Sequence, residues 1–120
     1  MAYDPNNVFA KIIRGEIPCK KVYEDDHVLA FHDIHPRRKI HVMIIPKGPH
    51  ENASAFGENA TDAEIVALWR AIPKIAAELG MTEKGYRLVT NCGEHGHQEV
   101  PHLHFHMLGG EPVGHLVSPL

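Results

Sequence analysis

Residues 98–110 read Gln-Glu-Val-Pro-His-Leu-His-Phe-His-Met-Leu-Gly-Gly. Three histidines alternate with three apolar residues, and alternation with a period of two is typical of a half-buried β-strand. The pattern predicts one polar and one apolar face, carrying His102, His104 and His106 on one side and Leu103, Phe105 and Met107 on the other. Imidazoles two residues apart would lie about 6.6 Å from one another at the backbone, which is close enough to serve one small site.

A row of imidazoles has three interpretations. Imidazole titrates near neutral pH, so the row can supply a nucleophile and a proton relay. The His-x-His spacing on a strand also suits a zinc ion, which neutral imidazoles bind well. The third interpretation is a solvated polar face without chemistry, which three histidines at strict alternation favour far less than a lone histidine would.

The rest of the chain indicates an α+β fold. Asn6 or Asn7 is placed to cap a short helix, which Gly15 would end. Thr61 and Glu64 form a capping box that opens a long helix reaching about Leu79. Four further strands are predicted at residues 21–24, 28–32, 41–45 and 86–91. Together with the histidine strand they predict a five-stranded antiparallel sheet with one long and one short helix.

Two local features carry further expectations. Pro73 lies inside the long helix, where it should remove a hydrogen bond to the carbonyl of Trp69 and cause a kink or a break. Residues 48–59 have the composition of a loop.

Composition limits the class of protein. The chain has 120 residues, which predicts one domain over residues 1–120. A net charge of −3 argues against a nucleic-acid binder, and the basic cluster at residues 37–39 reads as a solvated loop. Cys19 and Cys92 are too few for a disulfide scaffold. With no signal peptide or membrane span in the sequence, a cytoplasmic location is expected.

Several motifs together resemble the histidine triad (HIT) family, most closely its Hint branch of purine nucleoside phosphoramidate hydrolases. The resemblance extends over nearly the whole chain and rests on the His-x-His-x-His-Met-Leu run and on segments that occur in the same order. These segments are residues 9–18, 24–26, 29–34, 45–47, 85–87, Asn91 and 108–110.

The resemblance implies a catalytic role for each of four histidines. His104 would attack the α-phosphorus and form a nucleotidyl-histidine intermediate, which water then hydrolyses. His102 would orient the nucleophile, and His106 would lie beside the phosphate and the leaving group. His41 would be a relay histidine on the neighbouring strand, and no catalytic metal or other cofactor is implied.

The resemblance also implies a nucleotide site. Asp33 would bind the ribose hydroxyls, although a loop cap is the alternative reading of this residue. Asn91 and the backbone of Gln98, Glu99 and Val100 would hold the phosphate. A purine would lie between apolar side chains, namely Val8, Phe9, Ile12, Phe31 and Ile34.

Two residues depart from the family pattern. His97 stands where many Hint sequences have glycine, so the phosphate loop could bend differently. Glu99 stands where eukaryotic relatives have a serine that helps the leaving group, although bacterial-type relatives often have Glu. A carboxylate here would favour a cationic leaving group.

Three functions therefore follow as hypotheses. The first is a hydrolase of purine nucleoside 5′-phosphoramidates, such as AMP–amine or AMP–lysine conjugates. The second is a non-catalytic nucleotide-binding or scaffold protein, and the third is a zinc hydrolase. A two-fold symmetric homodimer is expected along residues 86–91 and the Trp69 helix, because a long apolar edge must be covered. No nucleic-acid or membrane partner is expected.

Overall fold

The computed structural model describes residues 2–116. Its elements form an α+β fold with one antiparallel sheet in the order β1-β2-β3-β5-β4. This confirms the predicted fold class and the five strands. The elements are α1 (Val8–Ile13), β1 (Lys21–Glu24), β2 (Val28–His32), β3 (Ile40–Pro46), α2 (Ala53–Asn59), α3 (Asp62–Glu78), β4 (Arg87–Thr90) and β5 (Phe105–Gly109).

The sheet has two different faces because side chains alternate along each strand. One face packs against α3 and forms what we call the helix-side core, which includes Val28, Ala30, Val42, Ile44, Leu68, Ile72, Ile75, Leu103 and Met107. The other face carries a smaller apolar group, the site-side cluster, which consists of Phe9, Leu29, Phe31, Met43 and Ile45. In β3, His41 has the same parity as Met43 and Ile45, so it lies on the site side.

The predicted helix ends agree with the structure. The side chain of Asn7 accepts a hydrogen bond from the backbone N–H of Ala10 at 2.9 Å, which caps α1. The capping box between Thr61 and Glu64 is complete at the start of α3. In the part of the chain that the structure describes, no helix is long and apolar enough to cross a membrane.

Pro73 does not break α3, which runs continuously from Asp62 to Glu78. Of the predicted kink or break, the break is therefore wrong. Pro73 lies on the exposed side of the helix, between the buried residues Ile72 and Ile75. Water can satisfy a carbonyl freed on that side, and the buried residues around the proline hold the helix in place.

Two boundaries also differ from the prediction. Residues 48–59 contain a second short helix, α2, which the side chain of Asn52 caps at the N–H of Ala55. The histidine strand begins only at Phe105, so His102 and His104 precede the ladder. The alternation still holds across this boundary, since Leu103 and Met107 are buried in the helix-side core.

Candidate active site

A cavity of about 560 Å³ opens on the site side of the sheet. Its walls come from α1, from β3, β4 and β5, and from the loops at residues 33–38 and 91–100. It is lined by Phe9, Asp33, His35, Arg37, Arg38, His41, Met43, Arg87, Val89, Asn91, His97, Glu99, Val100, His104, His106, Leu108 and Val113.

The structure brings most of the predicted catalytic residues to this cavity. His41, His104 and His106 line it, whereas His102 is fully buried beside it. Among the predicted nucleotide-binding residues, those that line the cavity are Phe9, Asp33, Asn91, Glu99 and Val100.

The other predicted nucleotide-binding residues do not line the cavity. Phe31 is buried in the site-side cluster, and Ile12 packs against that cluster from α1. Val8 and Ile34 are exposed, Ile34 to 85%, because they lie on the outer side of α1 and in the loop after β2. Gln98 uses its side chain to hold the loop, donating to the carbonyls of Glu51 at 2.7 Å and Val100 at 2.9 Å.

Hydrogen bonds fix the protonation of His102 and His104. Nε2 of His102 lies 2.8 Å from the carbonyl oxygen of Pro46, which can only accept, so Nε2 carries the proton. Nδ1 of His104 likewise donates to the carbonyl of His102 at 2.7 Å. A neutral imidazole has one proton, so Nε2 of His104 is left as a free lone pair.

His41 and His106 form a second, directly bonded pair. The backbone N–H of Arg37 donates to Nδ1 of His41 at 3.0 Å, which places the proton of neutral His41 on Nε2. This Nε2–H donates to Nδ1 of His106 at 2.9 Å. Neutral His106 therefore holds its own proton on Nε2, where a group in the cavity can take it.

The surroundings of these histidines keep them uncharged near neutral pH. Burial lowers the pKa of His102 to about 4, and burial together with the neighbouring His104 and His41 lowers the pKa of His106 to about 4. Burial also lowers the pKa of His104 and of His41 below the ordinary value. A neutral His104 is the form that can act as a nucleophile.

Asp33 has two roles in the structure. Its Oδ1 accepts from the backbone N–H of His35 at 2.7 Å, which is the loop cap that the sequence offered as an alternative. Its Oδ2 lies 3.4 Å from Nε2 of His41 and faces the cavity. Asp33 therefore supports the histidine pair and remains accessible to a ligand.

The arrangement gives the metal hypothesis a different location from the one predicted. Both ring nitrogens of His102 are hydrogen-bonded, so the His-x-His pair does not offer two free ligands. Among the described residues, ligand atoms of Asp33, His41 and His106 lie within 4.8 Å of one another, so this group could hold an ion if the hydrogen bond between His41 and His106 were given up. Nitrogen and carboxylate ligands of this kind suit zinc.

The loop before the histidines explains one departure from the family pattern. His97 has a φ of +58°, the left-handed conformation that glycine adopts most easily. The loop therefore keeps the backbone that a glycine would give, at a cost in strain. The side chain of His97 points to Glu99, with Nε2 and Oε1 3.2 Å apart, and both side chains are largely exposed.

Sequence reasoning missed the arginines of the cavity. Arg37, Arg38 and Arg87 line it together with the carboxylates of Asp33 and Glu99, which gives the lining a net positive charge when the histidines are neutral. The sequence contained one signal, the basic cluster at residues 37–39, which we read as a solvated loop. Arg87 gave no such signal. It lies on β4 and reaches the cavity because β4 pairs with β5, where Arg87 is opposite Leu108.

Sequence comparison with known proteins finds a family profile and several relatives that cover most of the chain. The HIT domain profile matches residues 14–113. A HIT-like protein of Azospirillum brasilense is 53% identical over 116 residues, which cover 97% of this chain and 95% of that protein. The purine nucleoside phosphoramidase of Escherichia coli K12 is 44% identical over 114 residues, with 92% of each chain covered.

Solved structures agree with these sequence relatives. A histidine triad protein from Clostridium difficile superimposes with a TM-score of 0.84 at 39% identity, covering 95% of this chain and 98% of that one. A HIT family hydrolase from Legionella pneumophila gives a TM-score of 0.82 at 42% identity, covering 91% and 96%.

Proposed function

This chain belongs to the histidine triad (HIT) family, and from that premise we propose that it hydrolyses purine nucleoside 5′-phosphoramidates through a nucleotidyl intermediate on His104. The observation that carries the proposal is the hydrogen bond from Nδ1 of His104 to the carbonyl of His102. It leaves Nε2 unprotonated on a residue that lines the cavity. The 44% identity to an E. coli purine nucleoside phosphoramidase supports the choice of substrate class.

The first chemical step forms one bond and breaks another. Nε2 of His104 attacks the α-phosphorus, and the phosphorus–nitrogen bond to the leaving amine breaks. The amine takes the proton from Nε2 of His106, whose Nδ1 accepts from His41. The His41–His106 pair is then one proton short and carries the negative charge until water supplies a proton in the next step. General acid catalysis of this kind needs a proton on the right nitrogen, and the His41–His106 hydrogen bond places it there.

Water completes the reaction. It attacks the phosphorus of the nucleotidyl-histidine, returns a proton to His106, and releases the nucleoside monophosphate with His104 restored. Arg37 and Asn91 line the cavity, as do Glu99 and Val100. The guanidinium of Arg37, the amide of Asn91 and the backbone N–H groups of residues 99 and 100 would stabilise negative charge on the phosphoryl oxygens. Phe9 would pack against the purine, and Asp33 would accept hydrogen bonds from the ribose hydroxyls.

The test is to trap the intermediate. The protein is mixed with an adenosine 5′-phosphoramidate, quenched within milliseconds in alkaline denaturant because P–N bonds are labile in acid, and examined by peptide mass spectrometry. One adenylyl group on His104 supports the proposal, and His104→Gly is the control that should carry none.

The alternatives give different results in the same experiment. A scaffold protein would bind AMP without turnover or adduct. A zinc hydrolase would lose activity with a chelator, recover it with added zinc, and form no adduct. We expect turnover that a chelator does not change.

A homodimer is part of the proposal. Strand β4 is at the edge of the sheet, and α3 carries exposed apolar side chains, with Trp69 56% and Val66 53% exposed. Trp69 packs on Phe105 of β5, with ring centroids 6.4 Å apart, so this apolar surface adjoins the sheet. Analytical ultracentrifugation should find a dimer at micromolar concentration, and a monomer would contradict this expectation.

A further inference from the structure

We propose that Tyr3 is a positioning residue for the catalytic histidines, acting through His102. Tyr3 lies 99 residues from His102 in sequence, yet its hydroxyl oxygen is 2.6 Å from Nδ1 of His102. The two rings meet edge to face, with centroids 5.6 Å apart. This inference rests on the proposed hydrolase function and assigns it a residue outside the histidine motif.

The direction of each hydrogen bond follows from its partners. Nδ2 of Asn7 donates to the hydroxyl oxygen of Tyr3 at 3.0 Å, which leaves the Tyr3 O–H free to donate elsewhere. Nδ1 of His102 is unprotonated, because the proton of this neutral imidazole is on Nε2, facing the carbonyl of Pro46. Tyr3 is therefore the donor and Nδ1 of His102 the acceptor.

Both ends of the His102 imidazole are thus held. The hydroxyl of Tyr3 fixes one ring nitrogen and the Pro46 carbonyl fixes the other, so the ring has one orientation and one tautomer. The backbone of the same residue accepts the Nδ1–H of His104 at 2.7 Å. A fixed His102 therefore fixes the acceptor that directs Nε2 of His104 into the cavity.

The N-terminal segment supports the nucleophile a second way. Asn7 caps α1 with the same side chain that donates to Tyr3. Phe9, two residues into the helix region, meets the His104 ring edge to face, with centroids 4.8 Å apart. Tyr3 and Phe9 therefore contact His102 and His104 from one short segment, in which Asn7 holds the hydroxyl of Tyr3.

The expected consequence is a change in turnover with little change in binding. Tyr3→Phe keeps the ring packing and removes only the hydroxyl, which leaves a buried nitrogen of His102 without a donor. We expect kcat to fall about five- to tenfold, as the loss of one buried hydrogen bond at a reacting group predicts. KM and the affinity for AMP should change by less than about twofold, since Tyr3 does not line the cavity.

A spectroscopic measurement separates positioning from a general loss of stability. In ¹⁵N spectra of histidine-labelled protein, the Nδ1 resonance of His102 should move toward that of a free imine nitrogen in Tyr3→Phe, while Nε2 stays protonated. Tyr23→Phe is the control, because the hydroxyl of Tyr23 also donates one hydrogen bond, to Asp25 at 2.7 Å, in the β1–β2 hairpin. That variant should keep both the His102 spectrum and kcat.

The outcomes distinguish the two proposals. A wild-type protein that binds AMP without hydrolysing phosphoramidates would overturn the proposed function. An active wild type whose kcat equals that of Tyr3→Phe, or an unmoved His102 resonance in that variant, would overturn only the role of Tyr3.

Discussion

The two faces of the sheet are built from the same strands but serve different purposes. On the helix side, Val42 and Ile44 of β3 are fully buried in an apolar core with α3. On the site side, His41 and Met43 of the same strand face a cavity that a helix of only six residues borders. The polar groups of the site-side face are held by hydrogen bonds, and no buried side-chain nitrogen or oxygen in residues 2–116 lacks a partner.

This difference shows how a small protein can hold neutral histidines rigidly. The helix-side core supplies most of the buried apolar surface, which stabilises the sheet. The site-side face can then carry imidazoles whose burial lowers their pKa, a cost that stability from the other face offsets. Substitutions in the helix-side core should therefore lower stability, whereas substitutions on the site side should also lower activity.

The largest effect is expected at His104. His104→Gly should lower kcat at least about 10³-fold, because no neighbouring group can form the covalent intermediate. His102→Ala and His106→Ala should keep measurable turnover, since these residues position and relay. Steady-state kinetics and calorimetric titration with AMP would check this, and AMP binding should survive in all three variants. Large losses of activity at His41 and His106, with His104→Gly still active, would instead favour a metal site on Asp33, His41 and His106.

The next largest effect is expected at two adjacent isoleucines of β3, one on each face of the sheet. Ile44 and Ile45 are both fully buried, Ile44 in the helix-side core and Ile45 in the site-side cluster. Each substitution by alanine should destabilise the protein by about 2–4 kcal/mol in urea unfolding. Only Ile45→Ala should also lower kcat/KM, because Ile45 packs in the cluster with Phe9 and Met43, which line the cavity. Similar losses of kcat/KM in both folded variants would contradict the division between faces.

Features that depend on local sequence patterns could be predicted from the sequence. The alternation of residues 102–107 placed the histidines and the apolar residues on opposite sides of the chain, and the Thr61–Glu64 box placed the start of α3. The alternation did not show at which residue the pairing of β5 with its neighbouring strands begins. The side chains of His102 and His104 donate hydrogen bonds to backbone carbonyls before the strand begins at Phe105. A two-residue period in the sequence does not predict these hydrogen bonds.

The features that the sequence did not reveal depend on contacts between distant residues. Helix α2 contains Gly57 and Ser54, which are poor helix formers, and its one buried apolar residue, Phe56, packs against His50 with centroids 4.9 Å apart. The packing, together with the Asn52 cap, stabilises what local propensity does not. Arg87 reaches the cavity in the same way, through pairing between β4 and β5.

Acid should destabilise the protein through the site-side face. His102 and His106 have folded pKa values of about 4, below the ordinary histidine value of 6.5. The unfolded chain therefore binds more protons as the pH falls, and the stability present above pH 6.5 is lost progressively down to about pH 4, by at most about 1.4 kcal/mol per pH unit for each histidine.

Urea unfolding between pH 7.5 and 4.5 measures this slope. His106→Asn removes one of the two groups, so its slope should be smaller by about one proton. Glu24, whose pKa Lys21 and Lys47 lower to about 2, is present in both proteins and therefore contributes equally to both slopes. An unchanged slope in His106→Asn would show that His106 does not titrate in this way.

The smallest effect is expected at the exposed rim of the site-side face. Glu99 lines the cavity but its side chain is 77% exposed, so solvent screens its carboxylate. The charge should still favour cationic over anionic leaving groups, and Glu99→Gln should reduce that preference by about two- to fivefold, as expected for a screened charge. The measurement is the ratio of kcat/KM for two adenosine phosphoramidates that differ only in leaving-group charge. Glu94→Gln is the matched control, because Glu94 is exposed in the same loop but does not line the cavity. If the ratio is the same in Glu99→Gln as in the wild type, the leaving group does not pass near this carboxylate, and the arginines that line the cavity become the next residues to test for selecting it.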